Sequence, residues 1–452
     1  MALPPAQLAN LERLGYLEMT AIQAAALPHA LAGEDLIGQA KTGSGKTAAF
    51  ALPLLARLNP RDFAAQALIL CPTRELASQV ASEIRRLASY QPNIKIVTLC
   101  GGQSIGPQIG SLQHGAHVVV GTPGRIKDHL RRETLSLARV NTLVLDEADR
   151  MLDMGFIDDI EAIIEKTPGS RQTLLFSATY PENIQLLSGR FQQAPRQVVV
   201  ESLHDEQQID ERFFVCGKNE CLASLVKLLA HFQPSSAVVF CNTKQLVSDV
   251  CKYLNQIGIH AAALHGDMEQ RDRDQVLIQF RQLSCSILVA TDVAARGLDI
   301  DELPVVVNFE LPRNAEVYVH RIGRTGRAGK KGLAISLFAD SQRHKLLGIG
   351  EYLQRELEFE AIEAVPNADK HFHEPAFITL CISGGRKEKV RPGDILGALT
   401  GEAGIAGSAV GKITVTDYAA YVAIAREEAD KALGRLLNGK IKGRKFKVRK
   451  LE

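Results

Sequence analysis

A chain of 452 residues exceeds what one hydrophobic core can serve, since single cores stop growing near ~250–300 residues, so two or three domains are expected. With 46% hydrophobic and 23% charged residues and a net charge of +2, the composition excludes a fibrous or wholly disordered chain and by itself names no partner. The longest unbroken apolar run, Ala48 to Ala56, contains Pro53 and is far short of the ~20 residues of a membrane span, so no membrane partner is expected.

The opening stretch MALPPAQLANLERLGYLEMT lacks the basic head and apolar core of an export signal. Eight scattered cysteines without a CxxC pair fit reduced thiols in a cytoplasmic protein better than disulfides or zinc. The first chemically marked element is AKTGSGKT (40–47), set between a short apolar strand and an amphipathic helix. Its glycines let backbone N–H groups close around phosphate oxygens at the helix N-terminus, Lys46 reaches the β- and γ-phosphates, and the Thr47 hydroxyl ligates Mg²⁺. The consensus opens on Gly where this chain has Ala40; Lys41, Thr42, Gly43, Ser44 and Gly45 complete the loop.

β-branched runs follow at ALILC (67–71), KIVTL (95–99), HVVVG (117–121), TLVLD (142–146) and TLLFS (173–177), alternating with longer amphipathic stretches. That alternation predicts a parallel α/β sheet. In TLVLDEAD an apolar strand ends on Asp146, beside the same Mg²⁺, and Glu147 can orient and deprotonate a water. An acidic helix cap would explain Asp146 but not its place after an apolar strand in a chain with a phosphate loop.

The polar stretch ESLHDEQQID, from 201, reads as a linker between a first domain of 1–204 and a second of 205–365. There the strand pattern resumes with RFFV (212–215), AVVFC (237–241), AAALH (261–265), SILVA (286–290) and VVVNF (305–309). After a break at 365–375, residues 376–452 read as FITLCI (377–382), a helix over 392–399, a glycine-punctuated loop through Gly411, and KITV (412–415). YVAIA (421–425), a helix over 427–437 and KFKVRK (445–450) complete a β-α-β-β-α-β order, the plan of an RRM-like sandwich. This segment holds 15 Lys/Arg against 8 Asp/Glu, a local +7, the footprint of a nucleic-acid contact.

The strings AKTGSGKT and DEAD, in this order, resemble the DEAD-box RNA helicases. PTRELA (72–77), GG (101–102), TPGR (122–125), SAT (177–179), VVFCNT (238–243), HGDMEQRDR (265–273), ATDVAARGLDI (290–300) and HRIGRTGR (320–327) follow that family's order over roughly residues 10–340. The resemblance implies two tandem RecA-like parallel-sheet domains followed by the RRM-like α+β domain. It also implies ATP and Mg²⁺ as cofactors, and RNA-stimulated hydrolysis coupled to local unwinding. Gly15, Thr20 and Gln23 resemble the adenine-reading Q motif, although Ala21 stands where Pro is usual and Ala6 where an aromatic is.

By the same resemblance Arg324 and Arg327 reach the γ-phosphate from the second domain, Asp299 meets the ribose, and His320 links the catalytic carboxylates to RNA. Arg74, Gly102, Thr122, Arg125, Thr243, Arg273 and Thr291 touch the RNA backbone, and Ser177 and Thr179 couple hydrolysis to strand separation. Individually these could be helix caps or turn residues.

In the C-terminal segment, DYAAYVAI (417–424) keeps only Tyr421 and Val422 of a base-stacking RNP1 pattern, so phosphate contacts from Arg386, Lys387, Lys389, Lys442, Arg444 and Lys445 are expected instead. GGRKEKVRPGDILGALTG and NGKIKGRKFKVRKL resemble the specificity domain of a bacterial branch of the family. That implies a hairpin of 23S ribosomal RNA and pre-50S particles as partners, with the protein acting as a monomer. An ATP-gated RNA clamp and a DNA helicase remain alternatives, which turnover and a matched RNA/DNA comparison would separate.

Overall fold

The structure, a computed structural model, describes residues 3–40, 43–180, 184–200, 209–217, 220–295, 303–326, 331–368, 372, 374–401 and 404–451, with the backbone alone at 182–183. The chain divides into two compact units. One spans Met1–Leu203; the other comprises His204–Arg296 and Ile300–Glu452.

The first unit holds seven strands: β1 (Leu36–Gln39), β2 (Ala67–Leu70), β3 (Ile96–Leu99), β4 (Val118–Gly121), β5 (Thr142–Asp146), β6 (Gln172–Ser177) and β7 (Arg196–Val199). They pair in parallel in the order β3-β4-β2-β5-β6-β1-β7. The central strands are apolar at successive positions because both sheet faces are covered. Ile69, Val118, Val120 and Val144 enter one core, while their chain neighbours Leu68, Val119, Leu143 and Leu145 enter the other. The period-2 side-chain alternation of a strand thus feeds two helical layers.

The second unit repeats this plan with β8 (Ile209–Cys216), β9 (Ala237–Cys241), β10 (Ala261–Leu264), β11 (Ile287–Thr291), β12 (Val305–Asn308), β13 (Gly332–Ala339) and the short β14 (Glu360–Ala361), in the order β10-β11-β9-β12-β13-β8-β14. The predicted strands recur within a residue or two, except that β8 starts three residues before RFFV. Three strands that the sequence reading did not name, β7, β13 and β14, complete the sheets. GLAISLFA, which forms β13, is an apolar run broken only by Ser336, with no alternation to separate strand from buried helix.

The C-terminal domain is an antiparallel sheet in the order β16-β17-β15-β18: β15 (Phe377–Ile382), β16 (Val410–Val415), β17 (Ala420–Ala425) and β18 (Val448–Lys450). Helices Pro392–Thr400 and Ala429–Asn438 cover one face over a core that includes Leu380, Ile382, Val422, Ile424, Ile395 and Leu436. Two sequence expectations are corrected. β16 begins at Val410, inside the expected loop, and β18 starts at Val448, because its partner β15 ends at Ile382, the residue opposite Val448.

The other face of this sheet packs on the helix Gln270–Arg281 of the preceding domain. Ile278 meets Cys381, Tyr421 and Leu451 in an apolar cluster. Just beyond the helix, the Gln282 amide donates to the carbonyls of Lys412 and Tyr421 at 3.0 and 3.3 Å and accepts from the Thr379 hydroxyl at 2.9 Å. Arg449 donates to Gln275 at 3.1 Å. The face that an RRM offers to bases is therefore covered, with Tyr421 only 5% exposed. Sequence reasoning discounted stacking there because the aromatic pattern is degenerate; burial supplies a second, independent reason. Among the described residues no helix is long and apolar enough to cross a membrane.

Candidate active site and nucleic-acid interface

The phosphate loop leaves β1 at Ala40, whose N–H donates to the Ser177 carbonyl at the end of β6 at 3.0 Å. Gly43 and Gly45 take φ of 84° and 93°, the left-handed region that favours glycine. A Cβ on Gly45 would stand 2.5 Å from Gln23 Nε2 and 2.9 Å from Thr20 Oγ1, so the loop has no room for a larger residue there. Lys41 and Thr42 lie outside the described residues.

Lys46 opens the helix Lys46–Arg57 with its ammonium buried and without a hydrogen-bond partner among the described residues. Asp146, at the end of β5, is likewise buried, and its Oδ1 has no hydrogen-bond partner among the described residues. Burial pushes the Asp146 carboxyl up to about 6, the Lys46 charge pulling down against it and Glu147 pushing up. Buried polar atoms are normally satisfied, so two such groups with the half-buried Thr47 beside them form a polar recess for a ligand of matching charge. The donor set, a hydroxyl and a carboxylate facing a phosphate cradle, fits the oxygen-only ligation that Mg²⁺ prefers.

Glu147 takes φ 54° and ψ 52°, an uncommon region for a residue with a side chain, where the chain turns from β5 into the helix Ala148–Asp153. Its carboxylate accepts from Arg150 Nη1 at 2.6 Å, with both side chains about 4% exposed. Asp149, the last residue of DEAD, accepts through Oδ2 from the backbone N–H groups of Ala178 and Thr179 at 3.2 and 3.0 Å and from the Thr179 hydroxyl at 3.0 Å. Its own N–H donates to Ser177 Oγ at 3.4 Å. Ser177 and Thr179 are thus mechanically tied to the segment that carries Asp146 and Glu147. Sequence analysis gave Asp149 and Arg150 no role, although both lie within or next to the motif.

Gln23 accepts through Oε1 from the Thr20 backbone N–H at 3.0 Å and donates through Nε2 to the Gly45 carbonyl at 3.1 Å. Both ends of the amide expected to read adenine are therefore engaged with protein. Its contact with the phosphate loop was not legible in the sequence.

Arg74, Gly102, Thr122 and Arg125 converge around the ends of β2, β3 and β4. A Cβ on Gly102 would lie 2.5 Å from Arg74 Nη1, and Arg125 Nη2 donates to the Gln103 carbonyl at 2.9 Å. Arg125 Nη1 is buried without a hydrogen-bond partner among the described residues. Both guanidiniums lie near enough to Cys100 to oppose the burial that pushes its thiol up to about 12. Thr122 leads the helix Pro123–Arg131, but its side chain makes no cap bond.

In the second unit Thr243 accepts from Leu246 N at 3.3 Å and Thr291 from Ala294 N at 3.4 Å, so both hydroxyls act as helix-start acceptors in this state. Arg273 projects from the helix Gln270–Arg281, half-buried. His320 and Arg324 flank the end of the helix Ala315–Ile322, with Arg324 6% exposed. Asp299 and Arg327 lie outside the described residues.

Between His320 and Arg324, Arg321 is the largest fully buried side chain among the described residues, and sequence analysis did not single it out. Nε and Nη2 grip Asp292 at 2.6 and 2.8 Å, Nη2 also reaches Asn242 at 2.8 Å, and Nη1 reaches Asn308 at 3.2 Å and the Glu310 carbonyl at 2.8 Å. These five bonds match the five N–H donors of a guanidinium. Arg321 thereby joins three of the motif segments of this domain, and the signal in the sequence was an Arg and an Asp inside two of those motifs.

On the C-terminal domain Arg386, Lys387, Lys389, Lys442, Arg444 and Lys445 are all exposed. Lys442 Nζ donates to the Lys389 carbonyl at 3.2 Å, which brings the two basic strings into one patch at the open end of the domain.

Three family profiles match this chain: DEAD/DEAH box helicase over residues 20–187, helicase conserved C-terminal domain over 217–329, and DbpA RNA binding domain over 379–450. The chain belongs to the DEAD-box family of ATP-dependent RNA helicases. Its full-length relatives include the ATP-dependent RNA helicase DbpA of Escherichia coli, 54% identical over all of this chain and 98% of that one. DbpA of Bacillus subtilis is 39% identical over 97% of this chain and 96% of its own. Among solved structures, Saccharomyces cerevisiae Dbp5 bound to RNA and ADP BeF3 superposes with a TM-score of 0.73 at 30% identity, covering 80% of this chain and 95% of that one.

Proposed function

We propose that Lys46, Thr47, Asp146 and Glu147 bind and hydrolyse Mg²⁺-ATP, and that Arg324 and Arg327 act on the same γ-phosphate. Asp299 meets the ribose and His320 relays between the catalytic carboxylates and RNA. Lys46 and the phosphate-loop amides hold the phosphates, Thr47 and Asp146 hold the metal, and Glu147 orients the attacking water and takes its proton. Mg²⁺, when bound, neutralises charge developing on the phosphate oxygens. The observation that carries this reading is the buried Lys46 ammonium and the buried Asp146 Oδ1, neither with a hydrogen-bond partner among the described residues, beside the constrained Glu147.

RNA lies along Arg74, Gly102, Thr122 and Arg125 in the first domain and Thr243, Arg273 and Thr291 in the second, through its phosphates and 2′-OH groups. Ser177 and Thr179 convey hydrolysis to it through Asp149. The basic patch of residues 386–389 and 442–445 chooses the target, a hairpin of 23S ribosomal RNA within pre-50S particles in the cytoplasm, and the protein acts as a monomer. The decisive experiment compares the ATPase of the full chain with that of a chain lacking 376–452, on ribosomal-hairpin RNA and on mixed RNA. The full chain should prefer the hairpin and the truncated chain should hydrolyse ATP without preference; a truncated chain that keeps the preference would refute the assignment of target choice.

A further inference from the structure

Outside the nucleotide and RNA surfaces, the second unit carries two thiols that the mechanism does not use. Cys216 ends β8 and Cys221 begins the helix Cys221–Phe232. Their sulfurs lie 3.1 Å apart, with Cys216 buried and Cys221 half-buried. We propose that Cys216 and Cys221 form a peroxide-reactive dithiol site that closes reversibly to an intrachain disulfide.

The chemistry follows from the placement. Cys221, the outer sulfur, attacks a hydroperoxide: an S–O bond forms, the O–O bond breaks, and the departing oxygen leaves as water or an alcohol after taking a proton. The resulting sulfenic acid is met by Cys216, whose sulfur displaces the hydroxyl as water and loses its own proton. The net change is two thiols and one peroxide to one disulfide and two hydroxylic products, with sulfur oxidised and peroxide oxygen reduced. The sulfurs need to approach by only about 1 Å to reach bonding distance. The order of attack agrees with the electrostatics: the hydrogen bond from Cys216 holds the Cys221 thiol down at about 7, against its burial and the charges of Glu310 and Glu220, while the shared proton stays on Cys216. The remaining described thiols lack this arrangement; Cys241 and Cys285 are buried and pushed upward by burial.

Trypsin cuts at Lys218, between the two cysteines, so a disulfide would join peptide 213–218 to peptide 219–227. The full-length protein is exposed to graded hydrogen peroxide, alkylated under denaturing conditions with iodoacetamide, digested without reductant and analysed by mass spectrometry. The linked pair should appear at doses that leave Cys241 and Cys285 alkylated and vanish on treatment with dithiothreitol. In Cys216→Ser, dimedone should instead trap a sulfenic acid at Cys221. The proposal is overturned if both cysteines carry the alkyl label at every dose, or if Cys221 proceeds to sulfinic or sulfonic acid in the native chain without a linked pair.

Discussion

At the residue scale the nucleotide site predicts an asymmetry among its members. Lys46→Ala removes the buried cation and should abolish nucleotide binding together with turnover. Glu147→Gln keeps the shape while removing the carboxylate charge, so it should bind ATP and RNA yet hydrolyse poorly; equilibrium binding beside single-turnover hydrolysis separates the two. Arg324→Ala should lower RNA-stimulated ATPase by on the order of 10³–10⁵, the range of arginine fingers, and near-normal turnover in that variant would exclude its proposed role. Asp146 adds a pH signature. Its carboxyl is raised to about 6, so in the nucleotide-free protein the folded state holds a proton that the unfolded chain releases near 4. The stability from that neutral form is complete below about 4 and lost as pH rises through about 6. Chemical denaturation at stepped pH should show this decline, and Asp146→Asn should flatten it. Arg321 belongs to stability as much as to function: Arg321→Met leaves Asp292 without its bidentate partner and should cost about 3–5 kcal/mol by denaturant titration.

Elements add what single residues cannot. β5 and β6 pair in parallel register from Thr142–Gln172 to Asp146–Phe176, which delivers the DEAD segment and the SAT segment to the carboxyl ends of adjacent strands, where Asp149 binds them together. The DEAD strand was legible because an apolar run ending in carboxylates has one natural place, a strand end in a buried sheet. That Asp149 faces Thr179 was not, since it depends on register between strands about 30 residues apart. The helix Gln270–Arg281 makes the same point. Its sequence shows an amphipathic helix, while the second surface it offers, to β15 and β17, is fixed by packing. Gln282→Ala removes bonds to Lys412, Tyr421 and Thr379 at once, and Tyr421→Ala empties a buried ring site; each should cost on the order of 2–4 kcal/mol in holding the C-terminal domain to its neighbour. Hydrogen exchange at β15 and β17 should rise in both variants, and unchanged protection would show that the contact contributes little.

For the whole molecule the charge distribution is the governing fact. The C-terminal segment carries +7 on a chain of net +2, and Lys389, Lys442 and Arg444 among its basic residues are exposed. RNA affinity of this domain should therefore fall with salt at a log–log slope of about −0.7 to −0.9 per phosphate contact. Replacing Lys389, Lys442 and Arg444 together by Ala should shallow that slope by two to three contacts' worth, measured by fluorescence anisotropy from low to moderate salt. A slope insensitive to these changes would move the RNA to another surface.

Much of this protein could be read from the order of its residues. The phosphate loop, the acidic strand end, the alternation of apolar strands with helices and the βαββαβ tail are local patterns, and local chemistry specifies them: glycines permit the turn, burial on two faces demands continuous apolar strands, and period selects helix or strand. What the linear pattern could not supply is every contact made by residues distant in the chain. Arg321 collecting Asn242, Asp292 and Asn308, Gln23 closing on Gly45, Lys442 meeting Lys389, and the sheet face of the C-terminal domain settling on a helix more than 100 residues earlier all depend on which surfaces meet once the cores have formed. Hydrogen-bond partners are chosen by geometry at ångström precision, and that geometry exists only after register and packing have brought the segments together.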